Sequence, residues 1–124
     1  MTDPLAMLLC HRGVVAAQLV QRLEALRYRT SALENPAELA VAAEGQRAMI
    51  VIADVEGMSE AVLGAIRQLR ASPATAHIPV IAFAHELDDA TQARLAEQGA
   101  TCAVVDSAVL EYLPQLLSRA LEIP

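Results

Sequence analysis

The chain has 124 residues, 55% of them hydrophobic, which suits one domain, spanning 1–124, around one well-buried core. Its net charge of −6 argues against a nucleic-acid-binding surface, because neutralising phosphates takes an excess of cations, and its cations are all arginine: there is no lysine. No apolar run approaches the roughly 20 residues that a membrane-spanning helix needs.

Leu5–Cys10 (LAMLLC) is a continuous apolar run that fits a strand buried on both faces, with Asp3-Pro4 punctuating its start. After the polar turn His11-Arg12-Gly13 the period changes. Val15, Leu19, Leu23 and Leu26 recur at helical spacing and predict an amphipathic helix from Val14. Tyr28–Leu33 mixes polar and apolar residues and reads as a half-exposed edge strand. Asn35-Pro36-Ala37-Glu38 is a helix start: Asn35 can cap, Pro36 suits the first helical position, and Glu38 can reach back. Gly45 is the expected stop of that short helix.

Ala48–Asp54 (AMIVIAD) is the stretch around which the rest is organised. Met49 to Ala53 run without a polar break and stop at a carboxylate, which predicts a central strand with helices above and below. Asp54 then lies at the carboxyl end of that strand, where open α/β sheets place their ligands. A loop, Val55–Met58, leads to a helix that Ser59 can cap and that Ser72-Pro73 ends. Ile78–Ala84 predicts a further buried strand, with Pro79 near its start, where a missing N–H is tolerable. Asp88 or Asp89 opens a helix closed by Gly99; Cys102–Val105 is a short strand; Leu110–Glu122 is the expected last helix, with Pro114 an odd interior residue. The pattern is (βα)5, a doubly wound parallel five-stranded sheet of the flavodoxin-like class, with 2-1-3-4-5 the natural strand order.

Cys10 and Cys102, each inside an apolar segment with no secretory signal ahead, read as reduced buried thiols of a cytoplasmic protein. The serines lack a nucleophile-elbow setting and Gly13 stands alone, so neither hydrolase chemistry nor a phosphate-cradling loop is indicated.

LAMLLC, AMIVIAD, IRQLRASPATAHIPVIAFA and GATCAVVDSAVLEYLPQLLSRAL together resemble the response-regulator receiver (CheY-like) domains over nearly the whole chain. That resemblance implies a phosphoacceptor aspartate at the end of the third strand, where Asp54 stands. It also implies two acids after the first strand to hold Mg²⁺, a Ser or Thr ending the fourth strand, and a lysine after the fifth. At the two acid positions stand Cys10 and His11, or His11 and Arg12 with a one-residue shift; the fourth strand ends at Ala84, the pair Asp106-Ser107 follows the fifth, and the loop after Asp54 is about two residues short. Phosphoryl transfer to a carboxylate depends on metal and cation stabilisation, and Mg²⁺ favours oxygen ligands. The pattern therefore predicts a degenerate receiver, a pseudo-receiver, with no enzyme activity and no bound cofactor or metal.

Asp54 keeps three readings at this point: a strand-end acid solvated or bonded to loop amides, a residual phosphoacceptor, or one half of a salt bridge to Arg12. His11, His85, Asp54 and Asp106 can also gather at the sheet edge as a transition-metal set, though no local ligand spacing supports it. On the last helix, Leu110, Leu113, Leu116, Leu117 and Leu121, with Tyr112 nearby, cover more than one stripe, which reads either as a wide core face or as an interface with Leu110, Tyr112, Leu113 and Leu117 as its candidates; the resemblance implies homodimerisation through the last two helices. The expected role is signalling through protein–protein contact. The alternatives are a receiver phosphorylated on Asp54 by a histidine-kinase partner, or a small flavodoxin-like enzyme or ligand-binding domain.

Overall fold

The computed structural model describes residues 3–57 and 59–121, the side chain of Ser59 excepted. The chain alternates strands and helices: β1 Leu5–Leu9, α1 Gly13–Ala25, β2 Arg29–Leu33, a 3₁₀ turn Pro36–Glu38 leading into α2 Leu39–Gln46, and β3 Ile50–Asp54. Then follow α3 Ser59–Ala71, β4 Val80–Ala84, α4 Asp89–Gln98, β5 Cys102–Val105, α5 Asp106–Glu111 and α6 Leu113–Leu121. The five strands are parallel and ordered β2-β1-β3-β4-β5. This is the expected flavodoxin-like sheet, with the polar strand on one edge.

The continuous apolar runs of β1, β3 and β4 are buried at every position because helices cover both faces. Alternate residues feed two cores. Met7, Leu9, Val51, Ala53, Val80 and Ala82 pack under α2, α3 and α4. Ala6, Leu8, Ile50, Ile52, Ile81 and Phe83 pack under α1, α5 and α6. Pairing Ala6 with Ile50 and Asp54 with Phe83 brings the carboxyl ends of the central strands level, so their following loops share one rim.

Local signals set most of the boundaries. Asn35 Oδ1 accepts from the Ala37 N–H at 3.0 Å, without a reciprocal bond from Glu38. Asp88 Oδ1 accepts from the Thr91 N–H at 2.7 Å and caps α4, and Gly99 closes that helix at φ 109°. The capping role expected of Ser59 and the expected end at Glu122 lie outside the described residues.

Three expectations need correction. α2 runs past Gly45 to Gln46, and Arg47 takes the left-handed conformation at φ 55°; Ala48 N–H closes the turn on Ala43 O at 3.1 Å. Met49 lies before β3 and is 47% exposed, while Asp54 is the last residue of the strand itself. The last helix is two: α5 begins at Asp106, four residues before Leu110, and the chain leaves helical geometry at Tyr112 before α6 starts at Leu113. Pro114 is the cause, because it removes a backbone donor and crowds the preceding turn, so it is tolerated only in the first turn of a new helix.

Candidate functional site

Arg12 is the extended residue ahead of α1, at φ −94° and ψ 100°. Its side chain reaches over the carboxyl rim of the sheet between two acids. Nε donates to Asp54 Oδ2 at 2.7 Å and Nη2 to Asp54 Oδ1 at 2.9 Å. On the other side, Nη1 donates to Asp106 Oδ2 at 2.7 Å and Nη2 to Asp106 Oδ1 at 2.8 Å. The planar guanidinium suits this use because its donors form a fixed fork that meets one carboxylate side on through Nε and Nη2 and the other end on through Nη1 and Nη2. Its carbon sits 5.8 Å from the centroid of the Phe83 ring, within reach of a cation–π attraction.

The Asp54 side chain is fully buried, Arg12 is 23% exposed and Asp106 18%. A buried carboxylate is costly unless its oxygens are bonded. Besides the guanidinium, Asp54 Oδ1 accepts from the Glu56 N–H at 2.9 Å. Oδ2 faces Cys10 Sγ at 3.4 Å and His11 Nδ1 at 3.8 Å. Among the described residues no buried side-chain nitrogen or oxygen lacks a partner. His85 Nδ1 stands 3.8 Å from Asp106 Oδ2, so each acid of the bridge has one histidine beside it.

Charge pairing and burial shift the titration of these groups. Hydrogen bonds from Arg12 hold the Asp106 carboxyl below its ordinary value. The same bonds to Asp106, and then those to Asp54, push the Arg12 guanidinium up, so its proton is held throughout the working pH range. Burial pushes the Cys10 thiol up to about 11. Cys10 is therefore a neutral, weak donor here, with no thiolate character.

The structure brings Cys10, His11, Arg12, Asp54 and Asp106 into one cluster. Ala84 ends β4 at the same rim, buried and without a hydroxyl. The interface residues are divided. Leu113 and Leu117 are buried and belong to the core beneath α6, and Leu110 is half-buried against it. Of those four, Tyr112 is the exposed one, at 51%. Cys102 is half-buried rather than buried, on the edge strand.

Two contacts at the rim were not anticipated. Glu56 Oε1 accepts from the His85 N–H at 2.9 Å, tying the loop after β3 to the loop after β4. Phe83 forms the floor under Arg12. The signal for the second was available, since Phe83 is the last large residue of its strand and pairs in register with Asp54; nothing local marked the first.

The donor set does not suit Mg²⁺. That ion needs oxygen ligands in near-octahedral order, whereas Cys10 and His11 offer sulfur and nitrogen, and a cation lies between the two acids. Among the described residues, no three His, Cys, Asp or Glu side chains are grouped to hold a metal ion, and no helix is long and apolar enough to cross a membrane.

No protein-family model and no curated protein matches the chain. Solved structures do. It is similar to a response regulator from Thermotoga maritima, with 18% identity and a TM-score of 0.83 over 98% of both chains. It is similar to the signal receiver domain of a modulated diguanylate cyclase from Desulfovibrio desulfuricans G20, with 19% identity and a TM-score of 0.80, over 96% of this chain and 94% of that one. A third is the signal receiver domain of a DNA-binding response regulator from Colwellia psychrerythraea 34H, with 21% identity and a TM-score of 0.78, over 94% of this chain and 99% of that one. With its strand order and its aspartate at the end of β3, the chain has the CheY-like fold of response-regulator receiver domains.

Proposed function

We propose that this chain is a pseudo-receiver: a signalling module of receiver fold whose acceptor pocket is closed by its own arginine and which acts through protein–protein contact. The carrying observation is the guanidinium of Arg12 bonded to Asp54 and Asp106 at once. It places a positive charge beside the acceptor aspartate, where the family places a divalent ion, and it occupies the oxygens that a phosphoryl group or a metal would have to reach.

Energetics support a lasting closure. Opening the pocket strands a fully buried carboxylate, and breaking a buried pair by removing one partner typically costs about 3–5 kcal/mol. Acceptance of a phosphoryl group also requires stabilisation of developing negative charge by metal and cation. Arg12 is already neutralised by two acids, and Ala84 offers no hydroxyl. The similarity to response regulators supports a place in two-component signalling, with another signalling protein as the partner.

The test is acceptance of a phosphoryl group or its mimic. The chain is incubated with acetyl phosphate and Mg²⁺, and separately with beryllofluoride and Mg²⁺, beside an Asp54→Asn control. The intact mass is recorded, together with amide spectra. The pseudo-receiver reading expects no Asp54-dependent adduct and no shift of the rim amides. An adduct that disappears in Asp54→Asn overturns it in favour of an atypical phosphorylated receiver.

A further inference from the structure

Two cavities between α1 and α6 run together into one groove. The first, of about 290 Å³, is lined by Arg22, Ala25, Leu26, Leu110, Leu113 and Pro114. The second, of about 390 Å³, continues past Leu26 and Pro114, which line both, to Tyr28, Leu117, Ser118 and Leu121. Leu113 and Leu117 are buried, whereas Leu26 is 37% exposed. The groove extends toward the amino end of the sheet, away from Asp54. Tyr28 directly precedes Arg29, which pairs with Leu5 at the start of β1, while Asp54 ends β3 at the opposite edge.

The one charged residue along the groove is Arg22. Its Nε donates to Leu110 O at 3.1 Å and its Nη1 to Gln18 O at 3.4 Å. Both acceptors are carbonyls, so the guanidinium is held in place without being neutralised. Among the described residues no acid pairs with it, or with Arg27, which is exposed and follows Leu26. No described acid lines the groove either, in a chain that holds 15 of them.

We propose that this groove docks an amphipathic helix of a partner protein, with the apolar stripe of that helix on the leucines and a carboxylate on its flank against Arg22. Pro114 and Leu121 stand seven residues apart in α6, about 10 Å along the axis. Two turns of a partner helix, with apolar side chains at i, i+4 and i+7, match that length. The fixed cation selects an acidic helix over a basic one. A second copy of this chain does not supply such a helix: its other exposed large apolar residues, Val14, Val41, Met49 and Tyr112, lie on four different segments and form no stripe. The inference rests on the proposed function only in taking protein–protein contact as the mode of action, and holds whether or not Asp54 accepts a phosphoryl group.

The probe is a fluorescein-labelled stapled helix of about 15 residues, with Leu at i, i+4 and i+7 and Glu on the flank that meets Arg22. It is titrated against the full chain by anisotropy, and amide shifts locate it. One twin carries Gln for the Glu, and a second carries Ser for the three Leu. The acidic helix is expected to bind with a dissociation constant of roughly 10 µM, with shifts confined to 22–28 and 110–121. The Gln twin binds more weakly and the Ser twin not at all. Arg22→Gln weakens the acidic helix about fivefold and the Gln twin less than about twofold. Ala25→Trp fills the groove and abolishes binding. The three peptides on the parent chain decide the question even if a variant does not fold. Equal binding of the Glu and Gln forms, shifts on another face, or no binding overturns the proposal. A dimer in sedimentation that the peptide does not dissociate assigns the groove to a second copy, and phosphatidylserine vesicles that displace the peptide assign it to a lipid surface; either result overturns the proposal too. The phosphoryl assay scores Asp54 alone, so the two readings fail separately.

Discussion

Arg12 and Asp54 lie forty-two positions apart in the chain and meet side on, with Nε to Oδ2 at 2.7 Å and Nη2 to Oδ1 at 2.9 Å. The pairing neutralises a carboxylate that water does not reach. It also uses the donors whose direction is set by the planar guanidinium, so the arginine cannot turn elsewhere without abandoning both bonds. The rim therefore has one stable arrangement, and its behaviour can be tested residue by residue.

Removing the guanidinium is the most severe of these tests. Arg12→Ala leaves Asp54 with only Cys10, His11 and the Glu56 amide beside its oxygens. Thermal or urea unfolding is expected to show a loss of about 3 kcal/mol or more. A loss under about 1 kcal/mol, the range of an exposed surface pair, would mean that solvent enters and relaxes the site.

Reversing the charge gives the opposite kind of result. Arg12→Asp places a third carboxylate beside Asp54 and Asp106, an oxygen set suited to Mg²⁺. The variant is expected to be less stable than the parent without metal, because like charges crowd, and to be rescued by it. With a millimolar dissociation constant, about 10 mM Mg²⁺ returns roughly 1.4 kcal/mol. The parent chain is expected to show no such gain, and calorimetric titration of the two proteins checks the contrast.

Acid should dissolve the second half of the bridge. The Asp106 carboxyl is held below its ordinary value of 3.8, first by its hydrogen bonds to Arg12. A depressed acid stabilises the fold when ionised, so its contribution is complete above the unfolded value and is lost as pH falls below 3.8 through the folded one. Asp106→Asn is therefore expected to be less stable than the parent at pH 6, with the gap closing toward pH 2. A gap that stays constant over that range would show that packing, not charge, accounts for it.

The Cys10 thiol titrates in the alkaline range. It is raised from 9.0 to about 11, chiefly by burial. A raised thiol favours the neutral folded form, so its stabilisation is full below pH 9 and disappears as pH climbs toward 11. The parent is thus expected to lose stability relative to Cys10→Ser across that window. At pH 8, alkylation of the folded chain followed by peptide mapping should leave Cys10 unlabelled, because the thiolate is the reactive form.

Backbone handedness supplies a control away from the rim. Gly99 has φ 109°, and a Cβ there would lie 2.7 Å from Arg70 Cγ. That arginine also clasps Gly99 O and Ile78 O at 2.7 Å each. Gly99→Ala is expected to cost roughly 2 kcal/mol in denaturant unfolding. Arg47→Gly, at φ 55° and exposed, is expected to gain about 0.5–1 kcal/mol by relieving a left-handed residue.

The fold was legible in the amino-acid order because its signals are local. LAMLL, IVIAD and VIAFA are apolar at nearly every position, which only a strand covered on both faces requires. Asn35, Asp88 and Gly99 mark helix ends by their own hydrogen-bonding and backbone chemistry. The absence of lysine and the residues standing around Asp54 were equally a matter of composition and position. What the order of residues left open was direction. An arginine has four rotatable side-chain bonds, and whether Arg12 faces water or Asp54 is decided by the depth of the acid, the Phe83 floor and the arrival of Asp106 from ninety-four positions away. Leu113 and Leu117 were ambiguous for a related reason: a leucine stripe wider than one face does not say which side meets the sheet. Leu113 and Leu117 meet the core beneath α6, and the break at Tyr112 before Pro114 is bridged by Arg22 from another helix, a contact that exists only once the chain is folded.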